Sequence, residues 1–210
     1  MYIHIGKRCR IGVISLLMFA VFFCFCPSEL IPVMLAAALV HEGGHLLTIR
    51  LLKAKITSFT LTPIGADIII DRMRLTYGRE SIIFLSGGLT NLLCAVLCLI
   101  GSDISDTVSY LMSANLLYAA FNLLPVRGLD GGCVMENILL LFLTPDQAER
   151  AAHAVSFVFL LFLWTVSGSV LFFSSLNSTQ AVTVNGSMFY MSLFLFAAHL
   201  GERKGGKRKR

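Results

Sequence analysis

Charge is what this chain has least of. Asp, Glu, Lys and Arg make up 14% of its 210 residues, while hydrophobic residues reach 56% and mean hydropathy is +0.80. Soluble domains carry about 25% charged and about 45–50% apolar residues. A water-soluble globule, a disordered chain and a solvent-exposed nucleic-acid binder are therefore excluded. Cysteine gives no pattern either. The six residues include no Cys-x-x-Cys pair, so they suggest neither a disulfide scaffold nor a thiolate metal site and read as small apolar side chains. Internal repeats and low-complexity tracts are missing. So are the alternating segments of about ten residues that a transmembrane β-barrel requires. What the chain does have is a series of long apolar runs, close to the roughly 20 residues a spanning helix needs. The expected class is an all-α polytopic membrane protein.

Six transmembrane helices are expected, over residues 11–26, 31–52, 81–100, 107–124, 153–174 and 181–200. The first follows Lys7, Arg8 and Arg10 like a secretory leader. Its far end, Phe22-Phe23-Cys24-Phe25-Cys26, lacks the small residues of a cleavage site, and Pro27 closes it, so it reads as a retained span. In this layout the N-terminus, the second and fourth loops and the C-terminal tail share one side. Those segments hold all 17 Lys and Arg residues. The opposite loops hold only Glu29, Asp103 and Asp106. Cytoplasmic loops collect Lys and Arg, so both termini are expected in the cytoplasm, with the lipid bilayer of a bacterial cell as the location. The net charge of +5 then expresses topology, and no nucleic-acid partner is expected. Residues 1–202 read as one membrane domain with its core at about 31–145, followed by a basic tail, 203–210, that anchors the last span. The ten residues after Leu200 leave no room for an appended soluble domain.

Ionisable side chains inside a span cost about 2.5–3.5 kcal/mol each on insertion scales, so each needs a reason. The second span holds three, in Val40-His41-Glu42-Gly43-Gly44-His45-Leu46. The i, i+4 spacing puts both imidazoles on one helical face, one turn apart. That arrangement suits two nitrogens reaching one Zn²⁺, with Glu42 as general base. The apolar neighbours Leu39, Val40, Leu46 and Leu47 argue against a polar helix face. Gly43 and Gly44 either leave a bare surface where a substrate backbone can approach or mediate a helix–helix contact.

A catalytic zinc wants a third protein ligand and an open position. The best candidate is Asp130, in Phe121-Asn122-Leu123-Leu124-Pro125-Val126-Arg127-Gly128-Leu129-Asp130-Gly131-Gly132, where Pro125 breaks a helix and Asp130 can begin the next. Glu136 and Asn137 are expected on the solvent face of the amphipathic stretch that follows, and His153 and His199 near span ends. Residues 56–70 read as a short β-hairpin directly after the metal helix, with a Pro63-Ile64-Gly65 turn. Its free edge would accept an unwound substrate as an added strand; the plainer alternative is a basic cytoplasmic hairpin with no further role.

These motifs together resemble the site-2 protease family of intramembrane zinc metalloproteases. The resemblance rests on His41-Glu42-Gly43-Gly44-His45 within a span and on Asn122-Leu123-Leu124-Pro125 running into Leu129-Asp130-Gly131. The family's Gly-Pro-x-x-Asn element has a counterpart in Gly87-Gly88-Leu89-Thr90-Asn91, with Gly88 in place of Pro. Lacking a PDZ-like insertion, the chain is similar to the compact branch that includes the sporulation sigma-factor processing protease. The resemblance implies one Zn²⁺ per chain held by His41, His45 and Asp130, with Glu42 catalytic and Asn91 facing substrate, and it implies that the hairpin at 56–70 is membrane-associated. For Asn122, substrate binding and an interhelical hydrogen bond stand equal. The implied activity is hydrolysis of a peptide bond in or near a transmembrane segment of a membrane-associated protein, with a regulatory membrane protein as a further partner. A multi-span transporter or a non-catalytic membrane scaffold is the rival reading. The spans after residue 153 offer few polar groups for a transport pathway.

Overall fold

The structure is a computed structural model and describes residues 2–5, 9–12, 28, 30–54, 56–62, 65–70, 75–101 and 105–177. Its body consists of helices α1 (Leu30–Leu51), α2 (Tyr77–Ile100), α3 (Asp106–Asn122), α4 (Asp130–Phe142) and α5 (Pro145–Asn177). Among the described residues, three stretches are long and apolar enough to cross a membrane: Leu30–Leu51, Tyr77–Ile100 and Pro145–Ser169. Helix α3 has 17 residues, about 25 Å at 1.5 Å per residue, which falls short of a hydrocarbon core of about 30 Å. The helix matches the fourth expected span, 107–124, to within two residues at each end, and that span is as short. Of the first expected span, Ile11 and Gly12 lie in a β-strand. The rest of that span, the whole sixth span and the basic tail lie outside the described residues.

Local chemistry explains the helix ends. Thr76 and Ser105 cap α2 and α3, their hydroxyls accepting from the amides of Arg79 and Val108. Helix α5 starts at Pro145, well before residue 153, where hydropathy alone would begin the span. The Gln147 side chain accepts from the Thr144 amide at 3.2 Å, and the Ala148 amide bonds the Thr144 carbonyl at 2.8 Å. This is one half of a capping box, with proline at the first helical position. Helix α1 closes differently. Lys53 takes a φ of 52°, and the amides of Lys53 and Ala54 bond the carbonyls of Arg50 and Ile49 at 3.1 and 3.0 Å. This Schellman closure is built without glycine, and Ala54 packs with Ile49 and Ile83 beneath it.

Strands β1 (Tyr2–Ile5), β2 (Cys9–Gly12), β3 (Ile56–Thr62) and β4 (Gly65–Ile70) form one sheet in that order. The outer pairs β1–β2 and β3–β4 are antiparallel, and β2 lies parallel to β3 with Cys9 opposite Phe59. Residues 56–70 therefore do not present two free edges. β2 occupies the β3 side, and among the described residues no strand pairs with the outer edge of β4.

Helices α1, α2 and α3 pack through small residues. Ala37, Ala95 and Ala119 are fully or nearly buried, whereas Leu39, Leu51 and Ile100 are each at least 70% exposed. Small inside and large apolar outside is the pattern of helices packed in lipid, where close backbone approach replaces a hydrophobic driving force. At Gly44 an added Cβ would stand 2.7 Å from the Ser86 carbonyl oxygen and would run into Thr90, so this glycine serves the α1–α2 contact. Around Gly43 there is open space, which leaves that surface bare. The helix-contact reading of the glycine pair thus holds at Gly44.

Candidate metal centre

His41 and His45 project from the buried side of α1. Facing them is one stripe of α2, in which Ile83, Gly87 and Asn91 recur every four residues. Each member does a different job. The Ile83 carbonyl accepts from His45 Nδ1 at 2.8 Å, and the Asn91 Oδ1 accepts from His41 Nδ1, also at 2.8 Å. Gly87 supplies room. A Cβ there would stand 2.7 Å from His41 Cε1 and collide with His45 Nε2.

With both Nδ1 atoms donating, both Nε2 atoms carry lone pairs, and these lone pairs converge. His41 Nε2 and His45 Nε2 lie 3.2 Å apart, and Asp130 Oδ2 lies 3.0 Å from the first and 3.1 Å from the second. Two lone pairs and a carboxylate oxygen at such distances repel one another unless a cation sits among them. Tetrahedral zinc with ligands at about 2.0–2.1 Å separates its donors by about 3.3–3.4 Å. The observed triangle is close to that size, and the three side chains form a group able to hold a metal ion. The two histidines are buried, and Asp130 is partly so.

Asp130 reaches this point because the chain between α3 and α4 folds back over the start of α4. The Leu123 and Leu124 amides close the end of α3, the Val126 amide bonds the Leu124 carbonyl at 2.7 Å, and the Leu129 amide bonds the Val126 carbonyl at 3.1 Å. Gly128 occupies the third position of that last turn with φ 92°, which a side chain would strain. Gly131 and Gly132 have another reason. A Cβ on Gly131 would stand 2.5 Å from the Leu124 oxygen, and one on Gly132 would stand 2.9 Å from the Arg127 Cα. The two glycines let the returning backbone lie directly on the first turn of α4.

Side chains hold the same loop from outside. Val126 and Leu129 bury against Leu160 of α5, with Phe121 and Leu124 alongside. The Arg127 amide donates to Ser156 Oγ at 3.0 Å, and its guanidinium pairs with Glu136 at 2.8 Å and contacts His153. Two expectations are corrected here. Glu136 is not free on a solvent face but tied to Arg127, and Asn137, 5% exposed, faces Ser81 of α2. His153 lies within α5 and not near its end.

The other expected site residues separate into two kinds. Glu42 is partly buried next to His41 on α1. Asn122 closes α3 and donates to the Tyr118 carbonyl at 3.1 Å. Asn91 does not face a substrate surface. It is fully buried, its Oδ1 is taken by His41, and its Nδ2 donates to the Ala37 carbonyl and to Asn115 Oδ1 at 2.9 and 2.8 Å. Asn115, also fully buried, went unnoticed in the sequence. An asparagine in the middle of an apolar helix was the available signal.

No protein-family model and no curated protein matches this chain in sequence. Among solved structures it is similar to a site-2 protease from Methanocaldococcus jannaschii, with TM-score 0.59 over 91% of this chain and 94% of that one, at 20% identity. The chain has the fold of a site-2 protease. Within this fold, α1, α2 and the α3–α4 loop bring His41, His45 and Asp130 to one point.

Proposed function

We propose that the chain is an integral-membrane zinc metalloprotease that hydrolyses a peptide bond in or near a transmembrane segment of a membrane-associated protein. The observation that carries this reading is the convergence of His41, His45 and Asp130 within 3.0–3.2 Å, in a chain with a site-2 protease fold. His41 Nε2, His45 Nε2 and Asp130 Oδ2 would hold the ion. Bound zinc supplies Lewis-acid chemistry, polarising the scissile carbonyl and making water acidic enough to attack near neutral pH. Glu42 takes the proton of the attacking water and returns it to the leaving amine nitrogen. Asn122, at the mouth of the loop that carries Asp130, is assigned to the substrate, its amide donating to the carbonyl oxygen as charge develops there.

Access follows from depth. His41 and His45 precede the end of the metal helix at Leu51 by about two to three turns, about 9–15 Å at 1.5 Å per residue, so the water path from the cytoplasmic side is short. A helical substrate has its carbonyls bonded internally and must unwind to be cut. The open β4 edge offers main-chain partners for the unwound strand, and the bare surface at Gly43 leaves room for its backbone. Zinc per chain in detergent-purified protein tests the reading. One zinc in the parent, lost in His45→Ala and Asp130→Ala, is expected. A metal-free parent after incubation with zinc would overturn it.

A further inference from the structure

We infer that Asn115 is a positioning residue of the metal site, acting on His41 through Asn91; the inference rests on the metal-centre reading proposed above. Asn115 lies in the middle of α3 and is fully buried. Its Oδ1 accepts from Asn91 Nδ2 at 2.8 Å, and its Nδ2 donates to the Leu111 carbonyl at 2.8 Å. Asn91 in turn donates to the Ala37 carbonyl at 2.9 Å and accepts from His41 Nδ1 at 2.8 Å. One chain of hydrogen bonds thus runs from α3 through α2 to the first histidine of α1.

The direction of this chain matters more than its existence. An asparagine amide has a donor end and an acceptor end of nearly equal shape, and it turns to suit its neighbours. At Asn91 the NH₂ group faces two oxygens, Ala37 O and Asn115 Oδ1, so the carbonyl end must face His41. His41 then donates from Nδ1 and keeps a bare Nε2 for the metal. Were the amide reversed, its NH₂ would donate to Nδ1, the imidazole proton would sit on Nε2, and that nitrogen could not bind an ion. The Asn115 oxygen is one of the two acceptors that forbid this reversal. Outer partners of metal-bound histidines act in this way, by fixing tautomer and ring orientation.

The test titrates purified, metal-stripped, full-length protein in detergent with Co²⁺ alone. It reads d–d absorption and competition with a chelator, and records the melting temperature of each metal-free variant. Asn115→Leu is expected to weaken Co²⁺ binding by about 10-fold or more and to change the absorption bands. Asn115→Asp keeps an oxygen toward Asn91 and is expected to restore most of the affinity. If Asn115→Leu does not yield folded protein, Asn115→Ala, which removes the amide without adding bulk, is read the same way. A variant that melts earlier but binds Co²⁺ with the parent's affinity and spectrum would overturn the inference, since that is the behaviour of a merely structural asparagine. Failure of the parent itself to bind, with His45→Ala indistinguishable from it, would overturn the metal-centre reading instead.

Discussion

Replacing Gly87 by alanine is expected to empty the metal site while leaving the fold standing. The new methyl carbon would stand 2.7 Å from His41 Cε1 and closer still to His45 Nε2. Non-bonded carbons settle at about 3.5–4.0 Å, so the imidazoles must retreat by about 1 Å. A functional constellation tolerates displacements of about 0.5 Å. The ring nitrogens would also be drawn from Asn91 and from the Ile83 carbonyl, which hold them at 2.8 Å. Zinc affinity should fall by at least the about 10–100-fold typical of a lost outer partner. Stability should fall by no more than about 2 kcal/mol, because an overpacking cost of about 1–3 kcal/mol is partly offset by the about 0.8–1.0 kcal/mol by which alanine is favoured over glycine in a helix. The assay is zinc per chain and chelator competition alongside the thermal midpoint in detergent. Gly78→Ala is the matched control on the same helix, with nothing within 4 Å of its added carbon. A Gly87→Ala protein that binds zinc as tightly as Gly78→Ala would refute the claim that Gly87 exists to make room for the histidines.

Glu42→Gln should retain the parent's zinc and lose cleavage of a single-span membrane substrate by about 10²–10⁴-fold, the usual worth of a general base; normal cleavage would remove Glu42 from the mechanism. Asn122→Ala should likewise keep its zinc while kcat falls by about 10²–10³-fold, as for a lost oxyanion donor, and an unchanged kcat would return Asn122 to a purely structural role. Gly128→Ala forces a side chain into φ 92°, at a cost of about 1–2 kcal/mol. Because that turn carries Asp130, zinc affinity is expected to drop together with the thermal midpoint, and a change in neither would show that the turn relaxes freely. Gly43→Ala meets nothing within 4 Å, so metal content should be unaltered while substrate KM rises if a peptide backbone passes over that surface.

The histidine pair was legible in the sequence because its signal is local. Two imidazoles four residues apart share a helix face whatever surrounds them, and their cost in an apolar span demands a purpose. Asp130 was legible for a similar reason, since Pro125 and Gly128 announce a break in a stretch that hydropathy would keep straight. Packing decides the rest, and packing is not local. That Ile83, Gly87 and Asn91 form the wall of the site follows only once α2 is set against α1 at Gly44, where the Ser86 hydroxyl meets the Gly44 carbonyl at 3.1 Å. The start of α5 was hidden by its own charges. Asp146, Glu149 and Arg150 depress the hydropathy of a segment that Thr144, Pro145 and Gln147 mark as a helix N-terminus. Capping chemistry, read ahead of hydropathy, finds it. The N-terminal strands are four residues each, and β2 finds its parallel neighbour β3 across the whole of α1, a pairing no window on the chain can contain.

Asn91 shows most clearly how far a motif can be carried. Its place in the Gly-x-x-x-Asn element pointed to substrate through the family resemblance alone. In the fold every polar atom of that amide already has a protein partner, and the partner that decides its orientation, Asn115, lies on a third helix with no motif around it. A buried polar group in an apolar helix is costly until satisfied, so its presence always implies a second group. The sequence contains both asparagines. Only the fold shows that they answer each other and that the one spoken for by the motif turns its carbonyl toward His41, so the proposed mechanism gives the work at the substrate to Glu42 and Asn122.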